Sequence, residues 1–466
     1  MTNHAGRDSA GEDEGVPGDR TAVTAHDHHF SAASGSSNGT PQHQPVGKLH
    51  PQPWMTAPET RRVLDALTTE ASEIRFIGGC VRDAILKRPV RDIDLALPLP
   101  PDRVMALLRR AGIRVIPTGV DHGTVTAVVG SMHFEITTLR MDVESYGRRA
   151  KVAFIDDWRA DSARRDFTFN ALSCTPEGDI YDYFGGLEDL GHGRVRFVGN
   201  ARERIGEDVL RLLRFFRFYA YYGWPPPDED ALGACREWAE KVQTLSGERV
   251  RVELFRTLMA TDPADVFQLM RDSRVLEHVL PEADGTGRLK MLSWLDSRAL
   301  RIDSVAPDPV RRLAALLPEY RAEAEVIAER LRLSARQKDR LAVMIRPPHQ
   351  VDADTGPAGM KQALYHLGPA AVRDLLLLAW AGELAGQART RPGRSDRWTA
   401  LLHEVDSWQP LEFPLRGRDA LALGIPPGPR IGGLLRQVER WWEEHDYRAG
   451  HEECVRQLRS LIGAGE

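Results

Sequence analysis

The sequence predicts an α+β protein, with an α/β head followed by an all-helical remainder. Three observations predict this. Short runs rich in β-branched residues alternate with amphipathic segments over residues 74–139. After about Arg204 the apolar spacing is helical nearly throughout. The chain of 466 residues is also longer than one hydrophobic core commonly organises.

Residues 1–50 are rich in Gly, Ser, Ala, Asp and His and hold almost no large apolar side chain. Burial there cannot offset the entropy of ordering, so the segment is expected to be a disordered tail. His26, His28 and His29 cluster within it, and a solvated tail is preferred to a metal-binding tract. Order is expected from Trp54, with a helix over residues 59–69. Residues 74–77 read as a strand that runs into Gly78-Gly79, and 81–86 as a helix that stops before Pro89. Residues 92–97 read as a strand. Residues i and i+2 of a strand share a face, so Asp92 and Asp94 converge while Ile93 and Leu95 turn into a core. A helix over 102–110 carries Val104, Leu107 and Leu108 on one face. Residues 124–129 and 133–139 flank Gly130-Ser131, a two-residue hairpin turn. On the second arm Glu135 faces away from Phe134 and Ile136.

Helices are predicted at 205–222, 229–244, 248–260, 264–272, 308–331, 336–344, 358–365, 369–385, 396–407, 430–444 and 449–462. No repeat period of solenoid type is present. The net charge of −5 gives no global attraction to nucleic acid, so any RNA site must be a local basic surface. Arg202, Arg204, Arg211, Arg214 and Arg217 supply such a local cluster. Cys80, Cys174, Cys235 and Cys454 form no CxxC pair, which predicts neither a zinc site nor a disulfide framework. No apolar run is long enough to span a bilayer, and the N-terminus lacks a signal-peptide core. A cytoplasmic setting without membrane association is therefore expected.

The chemistry rests on three motifs in order. Convergent carboxylates at Asp92 and Asp94 are hard oxygen ligands, suited to magnesium with phosphate as co-ligand. Gly78-Gly79 ahead of them lets backbone approach phosphate oxygens. A lone Asp-x-Asp is more often a solvated turn, and a lone Gly-Gly says less still. Two downstream motifs change that balance: Arg164-Arg165-Asp166-Phe167-Thr168-Phe169-Asn170-Ala171-Leu172 and Glu207-Asp208-Val209-Leu210-Arg211-Leu212-Leu213-Arg214-Phe215. Asp208 and Arg211 project together if both lie on one helix, and Glu207 can orient Arg211 from four residues away. Aspartate only accepts hydrogen bonds and arginine only donates. Cytosine and adenine both offer an exocyclic amine beside a ring-nitrogen acceptor, whereas uracil and guanine present the reverse. One Asp/Arg pair can therefore admit C and A and be left unpaired against U and G. An ordinary intrahelical ion pair is the bland alternative.

With these motifs the chain resembles the class II tRNA nucleotidyltransferase and poly(A) polymerase family over residues 74–258, and most nearly its bacterial CCA-adding members. The resemblance implies a nucleotidyltransferase-type head over 54–190, a helical neck over 191–262, and a helical body and tail over 263–466 that bind tRNA. It implies two magnesium ions held by Asp92 and Asp94, with Glu135 as a third catalytic carboxylate. It places Gly78, Gly79, Arg82, Arg165, Asp166, Asn170, Asp208, Arg211 and Arg214 around the nucleotide. Arg165, Asp166 and Asn170 would hold sugar and phosphates, with Asp166 and Asn170 on one face of a helical turn. The implied activity is template-free addition of C, C and A to tRNA 3′ ends from CTP and ATP, with no protein partner. Poly(A) polymerase activity and partial addition of CC or A remain the alternatives. His122-Gly123-Thr124 resembles a segment of CCA-adding members, and residues 140–158 the interval in which members that add the terminal A keep a mobile loop, part of which members restricted to C often lack. Residues 415–429 resemble an element associated with tRNA engagement. His445-Asp446 lacks the companions of a phosphohydrolase site, and that activity is not expected.

Overall fold

The computed structural model describes residues 44–146, 149–319, 322–387 and 391–463. The head is built on ten strands: β1 (Gly47–Lys48), β2 (Arg75–Ile77), β3 (Ile93–Leu97), β4 (Arg114–Gly119), β5 (Thr124–Val129), β6 (Met132–Thr138), β7 (Arg140–Tyr146), β8 (Arg149–Phe154), β9 (Ser173–Cys174) and β10 (Asp179–Tyr181). Eight of them form one sheet in the order β1-β10-β9-β2-β3-β6-β5-β4, and β7 and β8 pair separately. Among the described residues only β3 and β6 run parallel; every other pairing there is antiparallel.

Alternation sets the two faces of the sheet. Ile93, Leu95 and Leu97 of β3, with Phe134 and Ile136 of β6, enter the main core. Helices Pro58–Leu67 and Pro101–Arg110 cover that face through Val63, Leu67, Val104 and Leu108, all fully buried or nearly so. Burying each such side chain contributes about 1.5–3 kcal/mol. The opposite face carries a small apolar cluster of Ile77, Ala96, Leu139, Trp158 and Tyr183. Asp94 lies on this second face, in register with Glu135 across the parallel pair.

Several expectations change. Residues 1–43 of the expected disordered tail lie outside the described residues. Within the same span, however, Gly47–Lys48 forms β1 against β10. Gly178 makes that strand possible: its φ is 96°, and a Cβ there would stand 2.1 Å from the Leu49 carbonyl oxygen. The expected loop over 140–158 is instead the β7–β8 hairpin followed by helix Trp158–Ala163. The helix expected over 205–222 breaks into Ala201–Glu207 and Leu210–Tyr222, with Asp208 extended between them at φ −151° and ψ 107°. The helix expected over 308–331 is two, Pro309–Ala315 and Ala324–Arg330. Helix Gly287–Trp294 and the π turn Leu295–Ala299 were not expected.

One continuous core runs from the head through the helices to Val405. A second, separate core joins Leu415, Leu434, Val438, Trp442, Cys454 and Leu458 in the last helices. No described helix is long and apolar enough to cross a membrane.

Candidate active site

The site begins where β2 ends. Gly78 has φ 68°, a conformation that L side chains rarely adopt. Its amide donates to the Leu172 carbonyl at 3.0 Å, and helix Gly79–Ile85 starts at the next residue. A Cβ on Gly78 would come within 3.3 Å of Arg165 Nη1. The glycine thus leaves room for the guanidinium and for a ligand beside it.

Asp94 projects from β3 next to this turn, and Asp92 immediately precedes the strand. Burial, then the charge of Glu135 opposite and that of Asp92, push the Asp94 carboxyl up to about 6, against the pull of Arg165 and Arg82. Asp92 and Glu135 are exposed. The three carboxylates therefore form an open acidic edge with a surplus of negative charge. Among the described residues, no group of three His, Cys, Asp or Glu side chains encloses a metal position.

From the glycine turn a chain of polar contacts crosses to the helices. Arg82 donates to Asn170 Oδ1 at 2.6 Å and is held by Asp83 at 2.9 Å, which also accepts from Tyr222. Asn170 Nδ2 donates to Asp166 Oδ1 at 3.0 Å, and Arg214 Nε to Asp166 Oδ2 at 2.7 Å. Burial alone would raise the Asp166 carboxyl, but Arg214, Asn170 and the Phe167 amide hold it below the usual carboxylate range. The expected helical turn is absent: Phe167 is extended and only Thr168–Asn170 turns, as a 3-10 helix. Asp166 and Asn170 meet even so, through their side chains. Arg165 is more loosely held, by Asp161 at 3.3 Å.

Asp208 and Arg211 do not share a helix, which corrects the expected i, i+3 geometry. Asp208 sits in the break, where its Oδ1 accepts from the Leu210 amide at 3.1 Å. Arg249 Nη2 reaches it from helix Gly247–Leu258, 2.9 Å from Oδ1 and 2.7 Å from Oδ2. Arg211 Nη1 pairs with Glu207 at 2.5 Å, the orienting contact expected from the sequence. It also donates to the Arg204 carbonyl, and its Nη2 to the Arg164 carbonyl, both at 3.1 Å.

One cavity of about 570 Å³ gathers most of these groups. Gly78, Gly79, Arg82, Asp94, Arg165, Asp166, Asn170, Asp208, Arg211 and Arg214 all line it; Asp92 and Glu135 do not. Sequence reasoning missed Arg164, Leu210, Phe218, Tyr221 and Tyr222 on its wall. Arg217, noted only as one of a basic cluster, also lines it and pairs with Glu253 at 2.6 Å. The guanidinium of Arg82 lies 4.3 Å from the Tyr222 ring centroid and that of Arg217 4.3 Å from the Phe218 centroid. These rings fix the cationic wall. The basic cluster is not one surface, since Arg202 turns away to Glu237 at 2.6 Å.

Away from the cavity, Gly123 takes φ 78° and its carbonyl accepts from the Thr138 amide at 2.8 Å. His445 bonds the Trp441 carbonyl, and Asp446 accepts from Lys361. All four cysteines are buried free thiols, and burial pushes Cys80 and Cys174 up to about 12.

Comparison with known proteins bears on this geometry. Residues 74–196 match the Poly A polymerase head domain family, and residues 227–285 the family described as a probable RNA- and SrmB-binding site of polymerase A. The chain is 33% identical over 410 residues to human CCA tRNA nucleotidyltransferase 1, mitochondrial, covering 86% of this chain and 89% of that protein. It is 28% identical over 390 residues to a CCA-adding enzyme of Lactococcus lactis, covering 82% and 90%. Its fold is similar to that of the Bacillus stearothermophilus CCA-adding enzyme in complex with CTP, with TM-score 0.67 and 23% identity over 87% of this chain and 97% of the other. It is also similar to the Thermotoga maritima CCA-adding enzyme complexed with tRNA, with TM-score 0.55 and 19% identity over 86% and 94%.

Proposed function

We propose that this chain, which belongs to the tRNA nucleotidyltransferase and poly(A) polymerase family, builds the CCA end of tRNA from CTP and ATP without a nucleic-acid template. The observation that carries the reading is the placing of Asp208 and Arg211 on the wall of the cavity that also holds the Gly78 turn and Asp94. An acceptor and a donor side by side match the amine and ring nitrogen shared by C and A. U and G set acceptor against acceptor and donor against donor at this half-buried pair, which makes rejection strong.

In this reading Gly78 and Gly79 allow the triphosphate close to the backbone, and Arg82 and Arg165 pair with its oxygens. Asn170, fixed by Arg82 and Asp166, faces the ribose. Asp166 spends one oxygen on Nε and Nη2 of Arg214 and the other on Asn170 and the Phe167 amide, so its roughly four lone-pair sites are taken and it serves the ribose by fixing Asn170. The 3′-hydroxyl of the RNA attacks the α-phosphorus in line. A new P–O bond forms and the bond to the β-phosphate breaks, releasing pyrophosphate. Positioning and charge neutralisation supply most of the rate.

The acidic edge fits a divalent cation. Its donors are hard oxygens, its charge is in surplus, and its open side suits an ion that keeps waters and takes phosphate oxygens. Asp92 and Asp94 would hold it, with Glu135 beside them. Magnesium bound there supplies a lowered hydroxyl pKa and neutralisation of the leaving group. The unpaired thiols suit a reducing compartment, and the cytoplasm is the compartment proposed.

Mass measurement of products from tRNAs ending in the discriminator base, C or CC tests the reading. All three should converge on CCA. Products that stop at CC, or arise only from CC, would make the protein a partial enzyme. The head-domain match also favours a second reading, poly(A) polymerase; long A tails and no incorporation of CTP would establish it.

A further inference from the structure

Asp208 owes its orientation to a residue outside the cavity. It is extended between two helices, so no helical packing fixes its side chain. Oδ1 is occupied twice, by the Leu210 amide and by Arg249. Oδ2 accepts from Arg249 alone among the described residues. With two lone-pair directions per oxygen, Oδ2 keeps one for an incoming amine. Arg249 does not line the cavity itself. One turn further along the same helix, Glu253 is buried and holds Arg217, so the helix is clamped to the site at two points. Arg211 is braced by a different set, Glu207 with the carbonyls of Arg204 and Arg164. The acceptor and donor halves of the base reader thus have separate supports.

We infer that Arg249 is a positioning residue that selects for the exocyclic amine of the incoming base by aiming Asp208, an inference that rests on the CCA-addition reading. Because Glu207 braces Arg211 independently, loss of Arg249 disturbs the amine half and leaves the ring-nitrogen half in place. Both C and A carry the amine, so their ratio is unaffected. Discrimination against bases without it falls.

The test uses full-length protein, one tRNA lacking CCA, and CTP against pyrimidin-2-one ribonucleoside triphosphate, which is CTP without its amine. Wild type should prefer CTP. Arg249→Met should lower that preference by about tenfold or more, chiefly through KM for CTP, with the CTP-to-ATP ratio unchanged. Arg249→Lys should recover most of it, because a single nitrogen bridges both Asp208 oxygens and an ammonium can take its place. Arg249→Gln, whose amide ends two bonds short of the Asp208 oxygens, carries the same test if the methionine variant does not fold. An unchanged CTP preference in the methionine or glutamine variant, or an equal loss for every nucleotide, overturns the inference alone. Wild-type protein that incorporates no CTP overturns it together with the reading beneath it.

Discussion

Asp94 stands at the centre of the acidic edge, and its surroundings oppose its charge. Burial, Glu135 and Asp92 all favour the neutral acid. Removing the carboxylate therefore relieves repulsion while removing a proposed metal ligand. Asp94→Asn should lose turnover by roughly a thousandfold or more, with a melting temperature equal to or above wild type. Near-normal incorporation in magnesium would show the metal site to be elsewhere. Asp166 is the opposite case. Arg214, Asn170 and the Phe167 amide depress its carboxyl, and Arg165 and Arg164 do the same for Asp161, in each case against burial. A depressed folded-state pKa gives stability that is present above the unfolded value of about 3.9 and is lost as pH falls through the folded value. Melting temperature should fall steeply below about pH 4, and Asp166→Asn should flatten that fall. A parallel slope in the variant would remove this carboxyl from the acid transition. At this scale strand alternation made the shared face of Asp94 and Glu135 legible. Arg249 was not, because it lies 41 residues from Asp208 and only tertiary packing joins them.

Among elements, the break at Asp208 shows where periodicity misleads. The residues around it continue a helical spacing, which hides the stop. What stops it is the Asp208 side chain, which takes the Leu210 amide and the Arg249 guanidinium instead of facing solvent. Strands β1, β9 and β10 were illegible for a simpler reason: two or three residues carry no period. The β7–β8 hairpin was read as a loop because its charged residues mask the alternation. In the family reading this interval serves the final A. Replacing residues 141–153 by a short Gly-Ser link should leave CC addition intact and abolish addition of A, as product mass would show. Equal loss of both steps would make the hairpin a structural element of the head.

Across the whole molecule, buried charge ties helix Gly247–Leu258 to the helices that follow it. Arg312 is fully buried, pairs with Asp296 at 2.5 Å, and donates to the carbonyls of Leu258 and Ala260 at the end of helix Gly247–Leu258. Arg312→Met leaves Asp296 buried with fewer partners and should cost roughly 3–5 kcal/mol. Urea unfolding would measure this, and a cost below about 1 kcal/mol would mean that Asp296 finds other partners, such as Arg311 at 3.6 Å. No sequence pattern announced this staple, nor where the second core begins. The order of head and helices was legible, because strand and helix periods change over near Arg204. The most direct measurement is relative incorporation of CTP, ATP, UTP and GTP onto one tRNA lacking CCA, by wild type and by Asp208→Ala and Arg211→Ala. Wild type should accept only CTP and ATP, and each variant should admit UTP and GTP, at a loss of about 1–3 kcal/mol of discrimination per lost readout. Unchanged selectivity with a uniformly lower rate would make the pair a structural brace and contradict its role as the reader of the base.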